Sequence, residues 1–314
     1  MRPASTAPVL IAGELNVDLV FGACGALPEA GREVLAGSFA MVPGSSSMIC
    51  AMGLARLGRE VIFVGRTGAD AWGDYCVDAL AAAGVDVAAV RRDPTLRTGV
   101  TASLSTRADR ALVTYPGAIG SLRGEDVDEP LLRRAGHLHV ASYYLQSGLR
   151  ADAPALFARA RAAGLSTSLD PGFDPAGRWD GAELRALLAL VDVFLPNEVE
   201  LAAIAGIDEP LAALRALDNG RTLTVAKRGA RGSAALVAGR LLEAPGFPVN
   251  AVDSTGAGDS FDAGFLHAWL RGEAVEACLR WANACGALST RGVGGTAAQP
   301  GAADVLALLE AAQT

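Results

Sequence analysis

Short apolar runs, rich in β-branched residues, alternate with longer Ala- and Leu-rich stretches along most of the chain. The short runs predict strands and the longer stretches predict helices, a succession typical of a mostly parallel sheet covered by helices. Strands are predicted at 9–15, 61–64, 138–141, 165–169, 193–195 and 223–226. Helices are predicted at 49–57, 74–83, 153–163, 182–190, 198–204, 257–270 and 273–288, and a last helix follows a glycine-rich turn. The pattern therefore predicts an α/β fold with a doubly wound, mostly parallel sheet.

Two segments, 16–42 and 98–115, break this succession with short alternating patterns such as TGVTASLSTRADRALVTY. Such alternation between turn residues predicts additional β-strands that project from the main sheet. Ligands of open α/β sheets bind beyond the carboxyl ends of the strands, where an excursion of this kind can form a lid. We therefore expect a large domain built from 1–15, 43–97 and 116–314, and a small β lid built from 16–42 and 98–115.

Composition restricts the partners and the compartment. The 314 residues are 51% hydrophobic and 19% charged, and the net charge is -7, which argues against nucleic acid or an anionic membrane as the main partner. We find no apolar run near the roughly 18 residues of a spanning helix. The five cysteines are odd in number and form no C-x-x-C pair, which predicts reduced thiols in a cytoplasmic protein. Glu14, Asn16 and Asp18 interrupt the first apolar run, which predicts that the chain has no signal peptide.

The stretch DSTGAGD places three small residues, Gly256, Ala257 and Gly258, before Asp259 at the start of an amphipathic run. Residues without large side chains let an anion approach the backbone, and the first N–H groups of a helix are ready to bind it. A carboxylate beside such an anion site is suited to accept a proton from an attacking nucleophile. The alternative is an ordinary acidic residue at a helix N-terminus.

Residues 253–259 resemble the second signature of the ribokinase-like (PfkB) carbohydrate kinases, and the resemblance extends over the whole chain. It implies that Asp259 is the catalytic base and that the backbone of Gly256, Ala257 and Gly258 holds the γ-phosphate of ATP. By the same resemblance, Asp253 and Thr255 lie beside a bound monovalent cation such as K⁺.

The GELNVDLV stretch is similar to the first strand and turn of that family, which implies that Asn16 and Asp18 bind substrate hydroxyls. A plain Asx turn is the alternative for this pair. The family's first signature falls on VPGSSSMICAMGLARLG and brings Gly44 to the substrate. This signature departs from the family pattern, because Pro43 replaces a glycine and Met48 or Ile49 stands where the family has an asparagine that meets the sugar. The identity of the substrate therefore stays open.

Three further stretches resemble the parts of the family that bind the nucleotide. Asn197 and Glu200 resemble the family's Asn-x-x-Glu, which helps to hold Mg²⁺ and phosphates through water, although an N-cap is an equally good interpretation of Asn197. Lys227, the only lysine beside 26 arginines, and Gly229 follow an apolar run near the expected nucleotide phosphates. For Lys227 an ordinary surface position is the alternative. The stretch ANACGALSTRGVGG implies that Asn283 lies near the adenine.

Two polar features have no firm assignment. His137 and His139 alternate along one apolar strand, with no third metal ligand suggested nearby. Asp170 ends a predicted strand, where it could face the cleft or stabilise a turn.

Together these observations predict an ATP- and Mg²⁺-dependent kinase that phosphorylates a hydroxyl of a sugar or sugar derivative. The alternatives are a nucleoside kinase of the same fold and a non-catalytic relative that binds sugar. A dehydrogenase would need G-x-G-x-x-G after the first strand, and the usual P-loop sequence is absent. An exposed small sheet also favours a homodimer.

Overall fold

The computed structural model describes residues 4–106 and 110–312 of the chain. Within them the strands are β1 (Val9–Ala12), β2 (Asn16–Gly22), β3 (Ser38–Pro43), β4 (Val61–Gly68), β5 (Asp86–Asp93), β6 (Gly99–Ser105), β7 (Arg110–Tyr115), β8 (His137–Val140), β9 (Ser166–Leu169), β10 (Val193–Phe194), β11 (Leu223–Lys227), β12 (Ser233–Val237) and β13 (Arg240–Ala244). The α-helices of the same residues are α1 (Ser46–Arg56), α2 (Ala71–Ala82), α3 (Glu129–Arg134), α4 (Ser147–Ala162), α5 (Gly181–Leu188), α6 (Glu198–Ala205), α7 (Pro210–Ala216), α8 (Ala257–Leu270), α9 (Val275–Ser289) and α10 (Ala302–Ala311). The predicted α/β fold is confirmed.

In the described residues the large sheet has the order β13-β12-β11-β10-β9-β8-β1-β4-β5. The strands from β5 to β11 pair in parallel, and β12 and β13 add an antiparallel hairpin at one edge. After β1 the chain adds β4 and β5 on one side of β1, and then adds β8 on the opposite side of β1. The order therefore reverses between β1 and β8, and ligands of open α/β sheets bind at such a reversal.

The predicted pairing of the two irregular segments is confirmed. They form a second sheet of order β3-β2-β6-β7, and β2 pairs with β6 in parallel, with Asn16 opposite Gly99. Residues 107–109 of the second segment lie outside the described residues. The strand predicted at 9–15 ends at Ala12, because residues 13–15 lead from the large sheet to the start of β2.

The large sheet has one hydrophobic core on each face. Side chains of α1, α2, α8, α9 and α10 pack on one face, and those of α3 to α7 pack on the other. Among the described residues, no helix has the length and apolar character needed to cross a membrane. Because helices cover both faces, the carboxyl-terminal edge of the sheet is where the loops, the small sheet and the start of α8 meet.

Candidate active site

The α8 helix begins where the sequence predicted an anion site. Its N-cap, Gly256, has φ +71°, and a methyl group added there would lie 2.5 Å from the Cα of Gly295. Both the left-handed backbone and the close approach of the second chain segment require glycine at this position. We call residues 256–258 the cradle. Asp259 lies in the first turn of the helix and is partly exposed, so its carboxylate and the first backbone amides of α8 share one small region.

The three residues expected to bind substrate lie together. The side-chain amide of Asn16 donates to Asp18 Oδ1 at 2.9 Å and lies 3.4 Å from the hydroxyl of Thr101. A methyl group added to Gly44 would lie 2.1 Å from Asp18 Oδ1 and 2.6 Å from Asn16 Nδ2. Asn16 and Asp18 belong to a paired strand rather than to an isolated turn, which excludes the Asx-turn alternative. Polar groups therefore line one face of the small sheet, close to the point where β3 leads into α1.

Asn197 and Glu200 form a reciprocal cap at the start of α6. Asn197 Oδ1 accepts from the Glu200 amide at 2.9 Å, and Glu200 Oε2 accepts from the Asn197 amide at 2.9 Å. The N-cap interpretation of Asn197 is confirmed, and the carboxyl of Glu200 is buried. Burial, and then the charge of Asp170, raise the pKa of Glu200 to about 7. A nearby cation would favour the ionised form of this carboxyl.

Lys227 is buried, which excludes the surface-lysine alternative. Its ammonium donates to Asp170 Oδ2 at 2.7 Å and lies 3.2 Å from both carboxylate oxygens of Asp262. Asp170, Asp259 and Asp262 have carboxylate oxygens within 4.8 Å of one another, a spacing that can hold a metal ion. We call these three residues and Lys227 the Lys227 cluster. Since the ammonium already bonds two of the three carboxylates, the cluster carries its own cation.

The turn interpretation of Asp170 is confirmed. Its Oδ1 accepts from the Gly172 amide at 2.8 Å within a turn, and its Oδ2 accepts from Lys227. Burial alone would raise the pKa of Asp170, but the Lys227 ammonium and the hydrogen bonds hold it below its ordinary value. Burial raises the pKa of Asp262 well above its ordinary value. Within the cluster, the Lys227 ammonium thus favours the ionised form of Asp170, whereas burial favours the protonated form of Asp262.

Asp253 connects the chain before the cradle to the glycine-rich turn after α9. Its Oδ1 accepts from the Thr255 amide at 2.9 Å and from the Thr255 hydroxyl at 2.8 Å, and its Oδ2 accepts from the Gly294 amide at 2.8 Å. The backbone amides of Val252 and Asp253 both donate to the carbonyl oxygen of Thr290, at 2.7 and 3.1 Å. Hydrogen bonds of Asp253 and Thr290 thus join residues 252–255 to the end of α9 and the turn that follows it.

Asn283 and Gly229 lie on the hairpin side of the sheet. Asn283 is buried on α9, and its amide donates to the carbonyl oxygens of Ala244 and Pro245 at 3.0 and 3.1 Å. Gly229 begins a short 3-10 helix after β11, and space is open where its side chain would be. The position of Gly229 leaves room for a ligand, whereas the Asn283 amide fastens α9 to the end of β13.

A family model described as pfkB family carbohydrate kinase matches residues 8–301. The chain belongs to this family. An ATP-dependent ribose-1-phosphate kinase of Halopiger xanaduensis is 34% identical over 303 residues, which cover 96% of this chain and 97% of that protein. A fructokinase of Klebsiella pneumoniae is 34% identical over 282 residues, which cover 84% and 91%.

A solved structure extends the similarity to three dimensions. A double-mutant fructokinase from Vibrio cholerae O395, in a form with fructose, ADP and potassium ion bound, has a TM-score of 0.80 at 26% identity. The match covers 98% of this chain and 100% of that one. The chain is thus a carbohydrate kinase with the ribokinase fold.

The departure from the family's first signature places apolar side chains beside the cradle. Met48 is fully buried, and Ile49 is 2% exposed. A methyl group added to Gly295 would lie 2.3 Å from Ile49 Cδ1. Where the family has an asparagine, this carbohydrate kinase therefore uses an apolar side chain to support the turn that packs against Gly256.

Sequence inspection missed two buried acidic residues. Asp262 stands three positions after Asp259, a spacing that places both carboxylates on one face of α8 and could have been noticed. Glu14 is buried after β1, where its Oε2 accepts from the Ser47 hydroxyl at 2.5 Å. Burial, against these hydrogen bonds, raises the pKa of Glu14 to about 7. No local pattern marked Glu14, because Ser47 meets it only through the packing of α1 on β1.

Proposed function

We propose that this carbohydrate kinase transfers the γ-phosphate of ATP to a hydroxyl of a sugar or sugar derivative. The observation that carries the proposal is the start of α8, where Asp259 lies in the same turn as the cradle. Asp259 accepts the proton of the substrate hydroxyl while that oxygen forms its bond to the γ-phosphorus. The bond from phosphorus to the bridging oxygen of ADP breaks, and the amides of α8 stabilise the charge on the transferred group.

Substrate hydroxyls bind Asn16 and Asp18 beside Gly44. This assignment is supported by the contact of the three residues at the face of the small sheet where β3 leads into α1. We propose that this sheet acts as a lid, because a lid that excludes water prevents transfer of the phosphoryl group to water. The lid and the large sheet then correspond to the two domains expected from the sequence.

The nucleotide lies along the edge formed by α6, β11 and the hairpin. Asn197 and Glu200 hold the hydrated Mg²⁺ and the phosphates, Gly229 gives the phosphates room, and Asn283 supports the chain beside the adenine. When bound, Mg²⁺ neutralises phosphate charge during transfer. The buried carboxyl of Glu200 suits this role, because a nearby divalent ion would favour its ionised form. We further propose that K⁺ binds beside Asp253 and Thr255.

We propose that the kinase is a cytoplasmic homodimer joined through the outer face of the lid. By strand register, this face carries apolar side chains on all four strands. Four of them are 41 to 65% exposed, namely Phe39, Met41, Val113 and Tyr115. A second copy would cover these side chains with the same face, as in a two-fold interface. The cytoplasmic location is supported by five cysteines without disulfides, all buried.

A panel of sugars, sugar phosphates and nucleosides tests the proposed function in an ATP-consumption assay with Mg²⁺. We expect a free or phosphorylated pentose or hexose to give the highest kcat/KM. Turnover of nucleosides alone would instead indicate a nucleoside kinase. Binding of a sugar without any ATP consumption would indicate a non-catalytic relative.

A further inference from the structure

Three elements that are distant in sequence meet at Lys227. Its side chain extends from the end of β11, Asp170 stands at the end of β9, and Asp262 lies in the second turn of α8. The exposed fractions are 9% for Lys227, 4% for Asp170 and 1% for Asp262. Ionic groups buried to this degree are stable only when they are paired, because the loss of hydration is otherwise uncompensated.

The ammonium lies directly behind the cradle. A methyl group added to Gly258 would lie 3.6 Å from Lys227 Nζ, which is ordinary van der Waals contact. Gly258 immediately precedes Asp259, and Asp262 follows Asp259 by three positions on the same helical face. Lys227 therefore lies beside the first turn of α8 near Gly258 and bonds the carboxyl of Asp262 in the second turn.

The bonds of Lys227 point toward protein carboxylates. Asp170 Oδ2 is 2.7 Å from the ammonium, the distance of a strong charge-assisted hydrogen bond. Asp170 is itself fixed by the Gly172 amide at 2.8 Å. The path from the large sheet to α8 thus runs through Asp170, Lys227 and Asp262, and each step is a contact between rigid elements.

We propose that Lys227 is a positioning residue of the phosphoryl transfer: it fastens the first turns of α8 to the ends of β9 and β11, and so holds the cradle and Asp259 in place. This inference rests on the proposed function of Asp259. It differs from the expectation that Lys227 binds the nucleotide phosphates, because here the ammonium acts on the helix rather than on the ligand.

Lys227→Met, Asp170→Asn and the double variant test the proposal. We expect Lys227→Met to lower kcat by about 10- to 100-fold, because the helix turn shifts and Asp170 is left unpaired. The KM values for ATP and sugar should stay within about threefold, since ligand binding is not the target. The double variant removes the unpaired charge but also lacks the ammonium that joins the strands to α8, so its kcat should stay at least about tenfold below wild type.

Arg161→Met is the matched control. Arg161 pairs with Asp192 at 3.4 Å, and Asp192 precedes β10, so this ion pair lies at the opposite edge of the sheet. Its loss should leave kcat within about twofold of wild type, as for a surface pair. Hydrogen exchange of the 256–262 amides gives a readout that does not need turnover. Exchange should be faster than in wild type both in Lys227→Met and in the double variant.

A rise in the ATP KM as large as the fall in kcat would overturn the proposal in favour of direct phosphate binding. A double variant with wild-type kcat would overturn it too, because the unpaired charge of Asp170 would then explain the whole loss. If Lys227→Met does not fold, the double variant decides by its ATP KM, which should stay within about threefold of wild type. If wild-type protein phosphorylates no compound of the panel, the proposed function fails. The positioning role of Lys227 is then judged by hydrogen exchange alone, and unchanged exchange in Lys227→Met rejects it.

Discussion

Carboxyl groups of the same chemical type differ in role here because their surroundings differ. Asp259 is partly exposed at the start of α8, Asp262 is buried against Lys227, and Glu14 is buried against Ser47. Burial disfavours the charged form, and a neighbouring ammonium favours it. At the scale of single residues, exposure and the nearest charge therefore decide which carboxylate is suited to accept a proton from a substrate.

Asp259→Asn separates a base from a structural residue of the first helical turn. Asn keeps the shape and polar character of Asp there but cannot accept the proton, so we expect kcat to fall by a factor on the order of 10² to 10⁴, or roughly 3 to 5 kcal/mol of barrier. Affinity for ATP and sugar should change little. The measurements are steady-state kinetics and a melting curve.

Asp304→Asn is the control for that variant, because Asp304 lies in the first turn of α10 and accepts from the Gly301 amide at 2.9 Å. It should leave kcat unchanged. A folded Asp259→Asn protein that keeps more than about a tenth of wild-type kcat would limit Asp259 to a structural role in the first turn of α8.

Glu14 makes stability depend on pH. Its pKa is raised from 4.5 to about 7, so between these values the folded state binds a proton that the unfolded state releases. The free energy of unfolding therefore falls as pH rises through this window, by up to about 3 kcal/mol, and the loss is complete above it. Glu14→Gln keeps both hydrogen-bonding atoms without the ionisation.

Denaturant unfolding of wild type and Glu14→Gln at pH 5 and pH 8 measures this effect. The variant should lose less stability than wild type between the two pH values. Equal losses would show that folding does not raise the pKa of Glu14.

The starts of α6 and α8 combine structural and functional tasks within single elements. The reciprocal cap of Asn197 and Glu200 satisfies amides at the start of α6, and the same carboxyl is proposed to face hydrated Mg²⁺. The left-handed Gly256 lets α8 begin against Gly295. At this scale a helix N-terminus supplies a fixed orientation for both backbone amides and first-turn side chains.

Glu200→Gln and Glu200→Ala distinguish capping from metal binding. Glutamine can form the same capping box, whereas alanine loses about 1 kcal/mol of stability with the cap. Both should raise the Mg²⁺ concentration for half-maximal activity by about 10-fold or more, with a smaller effect on the sugar KM. A wild-type Mg²⁺ requirement in Glu200→Gln would limit Glu200 to its cap.

The bonds of Asp253 to Thr255 and Gly294 predict dependence on a monovalent cation. Activity should be higher in K⁺ than in tetramethylammonium at equal ionic strength, because a bulky organic cation cannot replace K⁺ among oxygen ligands. Asp253→Asn should reduce the difference by removing the negative charge. Equal wild-type rates in the two salts would contradict a cation site here.

At the scale of the whole molecule, the small sheet presents different chemistry on its two faces. One face carries Asn16, Asp18 and Thr101, and the other carries apolar rows with Phe21 and Phe39 rings 5.2 Å apart. Because side chains alternate along a strand, one sheet can line a substrate site with one face and offer an association surface with the other.

Val113→Asp tests whether that apolar face joins two subunits. Val113 is 65% exposed on β7, and a carboxylate there should oppose burial against a second copy. Wild type is expected at about twice the chain mass of 32.0 kDa by light scattering, and the variant at a single chain mass. Leu306→Asp, on the exposed side of α10, is the control and should leave the mass unchanged. A monomeric wild type would reject the homodimer.

The sequence by itself determined the features encoded by neighbouring residues. Periodicity predicted the sheet, most helices and the small sheet, and GAGD predicted a glycine-led helix start, because small residues and caps act within one turn. The edge strands β5 and β13, the neighbouring strand β12 and the short helices α3 and α7 were missed. Edge strands are partly exposed, so their apolar pattern is weak.

Only the tertiary structure decided which charges meet. Lys227 bonds Asp170 across 57 positions and Asp262 across 35, and Ser47 bonds Glu14 across 33. No local pattern specifies such pairs, because they depend on the order of strands that brings β9, β11 and the start of α8 to one edge. The sequence could therefore place a base on a helix, but the burial and pairing of Lys227 behind that base follow from the packing of the whole sheet.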